Sequence, residues 1–237
     1  MSTSEASRHL ERNQLLLALP RTDYKELQRD LQDVTLPQGR VLFQARERIT
    51  HVYFPQRCVI SLVAPIDGEK GVEVAIVGSE GMAGLSVFLG VDTASIQAVS
   101  QIPDAARRLT VAAFRRALAR GTAMRRIMLR YTDALLSQLA QCSACNQRHR
   151  VVQRCARWFL MTHDRVGDAQ FSLTQEFLGQ MLDVERPTVS AAARQLQAAG
   201  AIQYSRGRVT VTNRASLEGA ACTCYRLLVQ DYARAFA

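Results

Sequence analysis

Residues 172–212 read SLTQEFLGQMLDVERPTVSAAARQLQAAGAIQYSRGRVTVT. Ser172 and Thr174 offer N-caps, and Gln175 and Glu176 follow in a first turn where acceptors and negative charge suit the exposed N–H groups. Phe177, Leu178, Met181 and Leu182 then recur at helical spacing, with Gly179 letting another helix approach closely. After a turn at Asp183-Val184, Glu185-Arg186-Pro187 opens a second helix, Pro standing where its missing N–H costs nothing. Val189, Ala193 and Leu196 are its buried stripe, and Gly200 ends it. Ile202–Tyr204 and Arg208–Val211 flank a turn at Ser205-Arg206-Gly207 and form a hairpin. The order is helix, turn, helix, wing.

The second helix leaves Arg186, Thr188, Ser190, Ala191 and Arg194 near its exposed N-terminal side. Long donors among short residues permit close approach to base edges, and such a face suits a DNA major groove. Arg186 is the expected base contact, to guanine. Thr188, Ser190 and Arg194 are expected at base edges or phosphates, with Pro187 and Ala191 beside them. Thr174, Gln175, Arg206 and Arg208 are expected on the DNA backbone. Capped amphipathic helices also occur in protein-binding modules, which is the plainer alternative.

At these residues the chain resembles the Crp/Fnr family of bacterial transcription regulators. The family shows a T-x-x-x-x-G-x-x-x-x-x-x-R-x-T-V pattern, matched here by Thr174, Gly179, Arg186, Thr188 and Val189. Family members usually carry polar base-reading residues where Pro187 and Ala191 stand, so the resemblance does not carry over a known operator. The resemblance implies a homodimer on double-stranded DNA with a roughly palindromic site, with RNA polymerase as a further partner. It also implies a sensory β-roll ahead of the DNA reader.

The 237 residues suffice for two modest domains. Thirty Lys+Arg against 21 Asp+Glu give +9 at pH 7, which favours a polyanionic partner. Residues 147–237 hold 12 Arg and 7 acidic residues, or +5, so +4 falls in residues 1–146 and the charge is spread. No signal peptide is evident near the N-terminus and no stretch approaches the roughly 18 uncharged residues of a membrane span. A cytoplasmic protein with no membrane partner and mostly reduced cysteines is therefore expected.

Upstream, residues 10–33 read as one or two short helices, with Leu15, Leu16, Leu19, Leu27 and Leu31 as apolar positions. Strand-like runs follow at 40–44, 51–54, 58–64, 71–77, 95–101 and 106–110, punctuated by Pro37-Gln38-Gly39, Asp67-Gly68 and Gly78-Ser79. Short punctuated strands make a jelly roll. The expected fold class is α+β: an N-terminal double-stranded β-roll (1–121), a long dimerisation helix (122–146) and a C-terminal winged helix-turn-helix with a tail helix (147–237).

Cyclic-nucleotide-binding members of the family place a Glu after a Gly for the ribose and an Arg later for the phosphate. Here Leu85 stands at the Glu position, and no Arg occurs between Arg57 and Arg107. A buried phosphate needs a positive or multiply hydrogen-bonded partner, so the effector is not expected to be cyclic AMP or GMP. Gly78, Gly81 and Gly84 either line an unknown small ligand or make tight turns. A cupin-type metal enzyme is disfavoured, because residues 36–110 hold only His51, and no enzymatic activity or cofactor is assigned.

Thr122 to about Asn146 reads as one long helix. Met124, Ile127, Met128, Tyr131, Leu135, Leu136, Leu139 and Cys142 form a wide apolar stripe, of which Met124, Ile127, Met128, Tyr131, Leu135, Leu139 and Cys142 are read as the dimerisation face. Cys142, Cys145 and His149 at i, i+3 and i+7 share a helix side and raise the alternative of a metal- or thiol-redox-responsive regulator. A zinc site would need a fourth ligand, with Cys155 or Cys222/Cys224 as candidates, and buried small cysteines are the plainer reading. No metal is assigned.

Overall fold

The computed structural model describes residues 11–66 and 71–237. It bears out the α+β class. Two short helices, α1 (Gln14–Leu17) and α2 (Arg21–Gln28), precede a roll of seven strands. These are β1 (Gln32–Leu36), β2 (Val41–Phe43), β3 (His51–Pro55), β4 (Val59–Ala64), β5 (Val72–Val77), β6 (Gln97–Ile102) and β7 (Asp104–Thr110). The strands pair antiparallel in two sheets, ordered β1-β7-β3 and β2-β6-β4-β5.

The helical reading of 10–33 runs too far. Helix α2 ends at Gln28, and Gln32–Leu36 is a strand paired with β7, Val34 opposite Ala106. Five residues with one buried side chain carry too little alternation to announce a strand. The Asp67-Gly68 turn lies outside the described residues, as does residue 10. Two helices inside the roll also depart from the sequence reading, α3 (Leu85–Phe88) and α4 (Val111–Arg120). The second follows directly on β7, and Thr110 both ends the strand and caps the helix by accepting from Ala113 N–H at 3.2 Å.

A single 27-residue helix, α5 (Thr122–Arg148), leaves the roll. The winged helix-turn-helix follows as α6 (Val151–Val166), β8 (Gln170–Ser172), α7 (Gln175–Leu182), α8 (Arg186–Ala198), β9 (Ile202–Ser205) and β10 (Arg208–Val211). The expected tail is two helices, α9 (Arg214–Ala220) and α10 (Cys224–Phe236). Helix α10 packs back along α5, and Arg130 Nη1 donates to the Ala237 oxygen at 2.6 Å. Among the described residues no helix is long and apolar enough to cross a membrane.

One core unites the roll with α1, α2 and the first half of α5, and a second surrounds α6 and the reader. The second also takes in Val59, Ile76 and Ile102 of the roll, so α6 is shared property. Polar bonds fix the same junction. Arg165 of α6 makes a buried ion pair with Glu80 at 2.8 Å and donates to Gln138 Oε1 of α5 at 3.2 Å. Gln138 Nε2 in turn donates to the Ile76 carbonyl of β5 at 3.0 Å. The glycines of this turn answer to these helices. A Cβ on Gly78 would overlap the Arg165 side chain, and one on Gly81 would overlap the Tyr131 ring of α5.

Trp158 Nε1 donates to Glu73 Oε1 of β5 at 2.9 Å, and Glu73 Oε2 lies 2.6 Å from Ser61 Oγ. Ser61 Oγ is also 2.7 Å from Gln101 Oε1, so one hydroxyl proton faces two acceptors. Gln101 Nε2 is buried with no partner among the described residues, so a Gln101 amide turned over donates to Ser61 and leaves the Ser61 proton for Glu73. Burial pushes the Glu73 carboxyl up to about 7, against the hydrogen bonds from Ser61 and Trp158 and the charges of Arg157 and Arg165. Between pH 4.5 and about 7 the folded chain therefore keeps a proton that the unfolded chain has released. Stability falls as pH rises through that window, by about 3 kcal/mol from this group. Glu73→Gln is expected to remove that slope and to exceed the parent in stability above pH 7, measured by denaturant unfolding from pH 4.5 to 8. Parallel stability profiles for the two proteins would contradict the assignment.

Candidate nucleic-acid interface

The reader is built on α6, α7 and α8. Thr174 caps α7, its hydroxyl oxygen accepting from Phe177 N–H at 3.1 Å. Asp183 closes that helix in the left-handed conformation at φ 52°, and the Leu182 carbonyl accepts from Arg154 of α6. A Cβ on Gly179 would stand 2.8 Å from the Val184 carbonyl, so only glycine lets the turn fold this tightly over α7. Glu185 is the N-cap residue of α8, with Pro187 in its first turn, and Val189, Ala192, Ala193 and Leu196 are buried. Gly200 at φ 67° follows the C-cap.

The wing is a three-stranded sheet in the order β8-β10-β9. Strand β8 leaves no signal in the sequence, since three residues give no period to read. The β9–β10 turn places both Arg206 (φ 48°) and Gly207 (φ 73°) in the left-handed region, the geometry that matches the twist of a two-residue hairpin loop. Tyr204 anchors the wing by donating to the Leu173 carbonyl at 2.9 Å and setting its ring edge-on to Phe159.

Of the residues expected to face DNA, Thr174, Arg186, Pro187, Thr188, Arg194, Arg206 and Arg208 are exposed. Among the described residues none of Arg186, Arg194, Arg206 and Arg208 forms a salt bridge, whereas Arg107, Arg165 and Arg214 are all engaged by carboxylates. Gln175, Ser190 and Ala191 are half-buried. Ser190 Oγ lies 2.6 Å from Gln175 Oε1 and 3.0 Å from the Arg186 carbonyl, so its hydroxyl aligns Gln175 across the two helices. The Thr174 hydroxyl oxygen is already in use as a cap.

The stripe read as a dimer face divides. Met124, Met128, Tyr131, Leu135 and Cys142 are buried inside the protomer, and Ile127 and Leu139 are half-buried. Tyr131 donates to the Met82 carbonyl at 3.0 Å, tying α5 to the roll. Leu129 and Leu136, each 58 % exposed and seven residues apart, are the large apolar side chains that α5 turns outward. The sequence pattern is apolar on both sides of the helix, and periodicity does not say which side meets the roll.

The trio Cys142, Cys145 and His149 does not assemble. Positions 142 and 149 are seven residues and therefore about 10.5 Å apart along a helix. Cys142 instead accepts from Arg157 Nη1 at 3.2 Å. Cys145 and His149 meet Cys222 and Cys224, which sequence spacing could not place because they arrive from the α9–α10 loop and the first residue of α10. Burial pushes the Cys58 and Cys155 thiols up to about 12, leaving them inert. The Cys145 thiol is drawn well below its ordinary value by a hydrogen bond from Cys222, with the Arg157 charge adding to the effect.

The family model of the Crp-like helix-turn-helix domain matches residues 153–220. No curated protein matches the chain in sequence. Many solved structures match the fold. FixK2 from Bradyrhizobium japonicum is 16% identical with a TM-score of 0.70, over 81% of this chain and 98% of that one. A CRP-family transcriptional regulator from Thermus thermophilus is 17% identical with a TM-score of 0.64, over 79% and 96%. CLP of Xanthomonas campestris, described as c-di-GMP responsive, is 12% identical with a TM-score of 0.59, over 82% and 100%. Residues 153–220 are thus a Crp-like helix-turn-helix DNA-binding domain, carried on a chain with the β-roll, long helix and reader of the Crp/Fnr transcription-regulator fold.

Proposed function

We propose that the chain is a homodimeric, sequence-specific DNA-binding regulator of transcription in the cytoplasm, not an enzyme, acting together with RNA polymerase. The observation that carries this reading is the exposed N-terminal end of α8. It presents Arg186 beside Thr188 and the Gln175–Ser190 pair, while Arg194, Arg206 and Arg208 carry unneutralised charge around it. A guanidinium at a helix end entering the major groove can take guanine O6 and N7 together. Arg206 and Arg208 at the wing suit phosphates, which bind charge without reading sequence.

The second copy meets the first along α5. Leu129 and Leu136 keep the seven-residue spacing of a coiled-coil seam, and Leu139 and Ala140 border it. Two-fold pairing there sets two α8 helices on half-sites about one duplex turn apart. The effector of the roll is neither cyclic AMP nor cyclic GMP. Leu85 opens α3 where an acidic ribose contact is wanted, and the space beside Gly81 is filled by Tyr131.

Selection of random duplex DNA by the purified chain, followed by sequencing, is expected to return a two-fold symmetric motif. An unenriched pool would favour a protein-binding helix-turn-helix. Arg186→Ala is expected to cost about 1–3 kcal/mol on the selected site and to relax preference at one base pair. Arg208→Ala is expected to weaken specific and random DNA alike and to lower the salt slope by about one. Equal losses for Arg186→Ala on both kinds of DNA would remove its base-reading role. By sedimentation, Leu136→Glu is expected to yield folded monomers, while Met128→Ala keeps the dimer and lowers stability by about 2–5 kcal/mol. A Leu136→Glu variant that remains dimeric would move the seam elsewhere.

A further inference from the structure

Four metal-ligating side chains converge outside the DNA-reading face. Cys145 comes from the last turn of α5, His149 is that helix's C-cap, and Cys222 and Cys224 flank Thr223 in the loop that opens α10. Their ligand atoms all lie within 4.8 Å of one another. Cys145 Sγ is 3.5 Å from Cys222 Sγ, and Cys224 Sγ is 3.5 Å from His149 Nδ1. Zinc–sulfur bonds of about 2.3 Å at tetrahedral angles put neighbouring sulfurs about 3.8 Å apart, and sulfur and nitrogen slightly closer. The spacing fits one small ion and is too tight for the thiolates of an iron–sulfur cubane.

The three cysteines form a buried cluster of their own, separate from both apolar cores. Their surroundings are built for an anion. Arg157 is buried, and among the described residues it forms no salt bridge; its Nη1 donates to Cys142 Sγ and Met161 Sδ. Arg154, next to it on α6, is likewise buried without a salt bridge among the described residues. Two buried guanidiniums with no carboxylate in ion-pair contact among the described residues favour further negative charge nearby. Three thiolates around a divalent ion leave a net charge of −1, which supplies it. Gln141 Nε2 donates to Cys224 Sγ at 2.9 Å, an outer bond of the kind that orients a ligand.

We propose that Cys145, His149, Cys222 and Cys224 bind one zinc ion in a tetrahedral Cys3His site that pins α10 to the end of α5. The joint between α5 and α6 sits at His149-Arg150, so the ion fixes the point from which the reader leaves the long helix. This site stands independently of the DNA-binding reading, because none of its four ligands is among the residues assigned to DNA.

The test uses the full chain, stripped of metal under reducing conditions and titrated with cobalt(II). One equivalent is expected to give the thiolate charge-transfer and tetrahedral ligand-field bands of a Cys3His site, and zinc is expected to bleach them. Cys222→Ser and His149→Ala are expected to lose at least about tenfold in affinity with circular dichroism unchanged, while Cys142→Ser and Cys155→Ser bind as the parent does. Zinc is also expected to raise the melting temperature of the parent and not of Cys222→Ser. Absence of tetrahedral bands, an iron–sulfur chromophore in the purified protein, a Cys145–Cys222 disulfide that persists under reductant, or equal loss in Cys142→Ser would each overturn the proposal.

Discussion

The buried pair between Arg165 and Glu80 is the constraint around which the rest of the molecule is arranged. A guanidinium removed from water is tolerated only when its donors are met, and here they are met by three different parts of the chain: Glu80 of the roll, Gln138 of α5 and the Met161 carbonyl of α6 itself. Tyr232 of α10 donates to the same Gln138 oxygen at 3.0 Å, and the Arg165 guanidinium lies over its ring. Removal of Glu80 would leave the Arg165 charge buried with no carboxylate in contact, and removal of Gln138 would release α5 from both β5 and Arg165. Roll, long helix, reader and tail are thereby held in one relation by a polar knot, which apolar packing, being non-directional, would fix less closely.

This explains why the turn from Gly78 to Gly84 is so rich in glycine without an evident ligand. The backbone must come close enough for Arg165 and Tyr131 to lie directly against it, and a side chain at position 78 or 81 would occupy their space. The turn is thereby in direct contact with both α5, through Tyr131, and α6, through Arg165.

The reader was legible because its signals are local. Thr174 as cap, Pro187 in a first turn and Gly200 after a last one all act within a few residues of themselves, and each is found in that role, while Gly179, read as room for another helix, first makes room for the Val184 carbonyl of the turn. The roll was legible as a class while β1 and α4 were not, since their identity comes from pairing with β7 and from packing, neither of which leaves a period in ten residues. Helix α5 was found, but its faces were confused: Met128 and Leu136 are equally apolar in sequence and opposite in burial. The cysteine cluster was half visible. Cys145 and His149 stand one helical turn apart, whereas their partners are more than seventy residues away and are joined to them only by the fold of α10 onto α5.

The arginines divide the molecule by function more sharply than its net charge does. Arg107, Arg165 and Arg214 are held by carboxylates, and each ties distant segments together. Arg154 and Arg157 are buried without carboxylates, beside sulfur. Arg186, Arg194, Arg206 and Arg208 are exposed with no salt bridge among the described residues, as are Arg21, Arg29, Arg40, Arg57, Arg125 and Arg126 elsewhere, but these four belong to α8 and the wing. An exposed ion pair stabilises a protein by about 1 kcal/mol or less, so folding exerts little pressure either to supply or to withhold partners there. A polyanion does: acidic neighbours would compete with phosphate for the same guanidiniums. Leaving these four unpaired costs the fold almost nothing and, on the proposed function, keeps the counterion-release term available to binding.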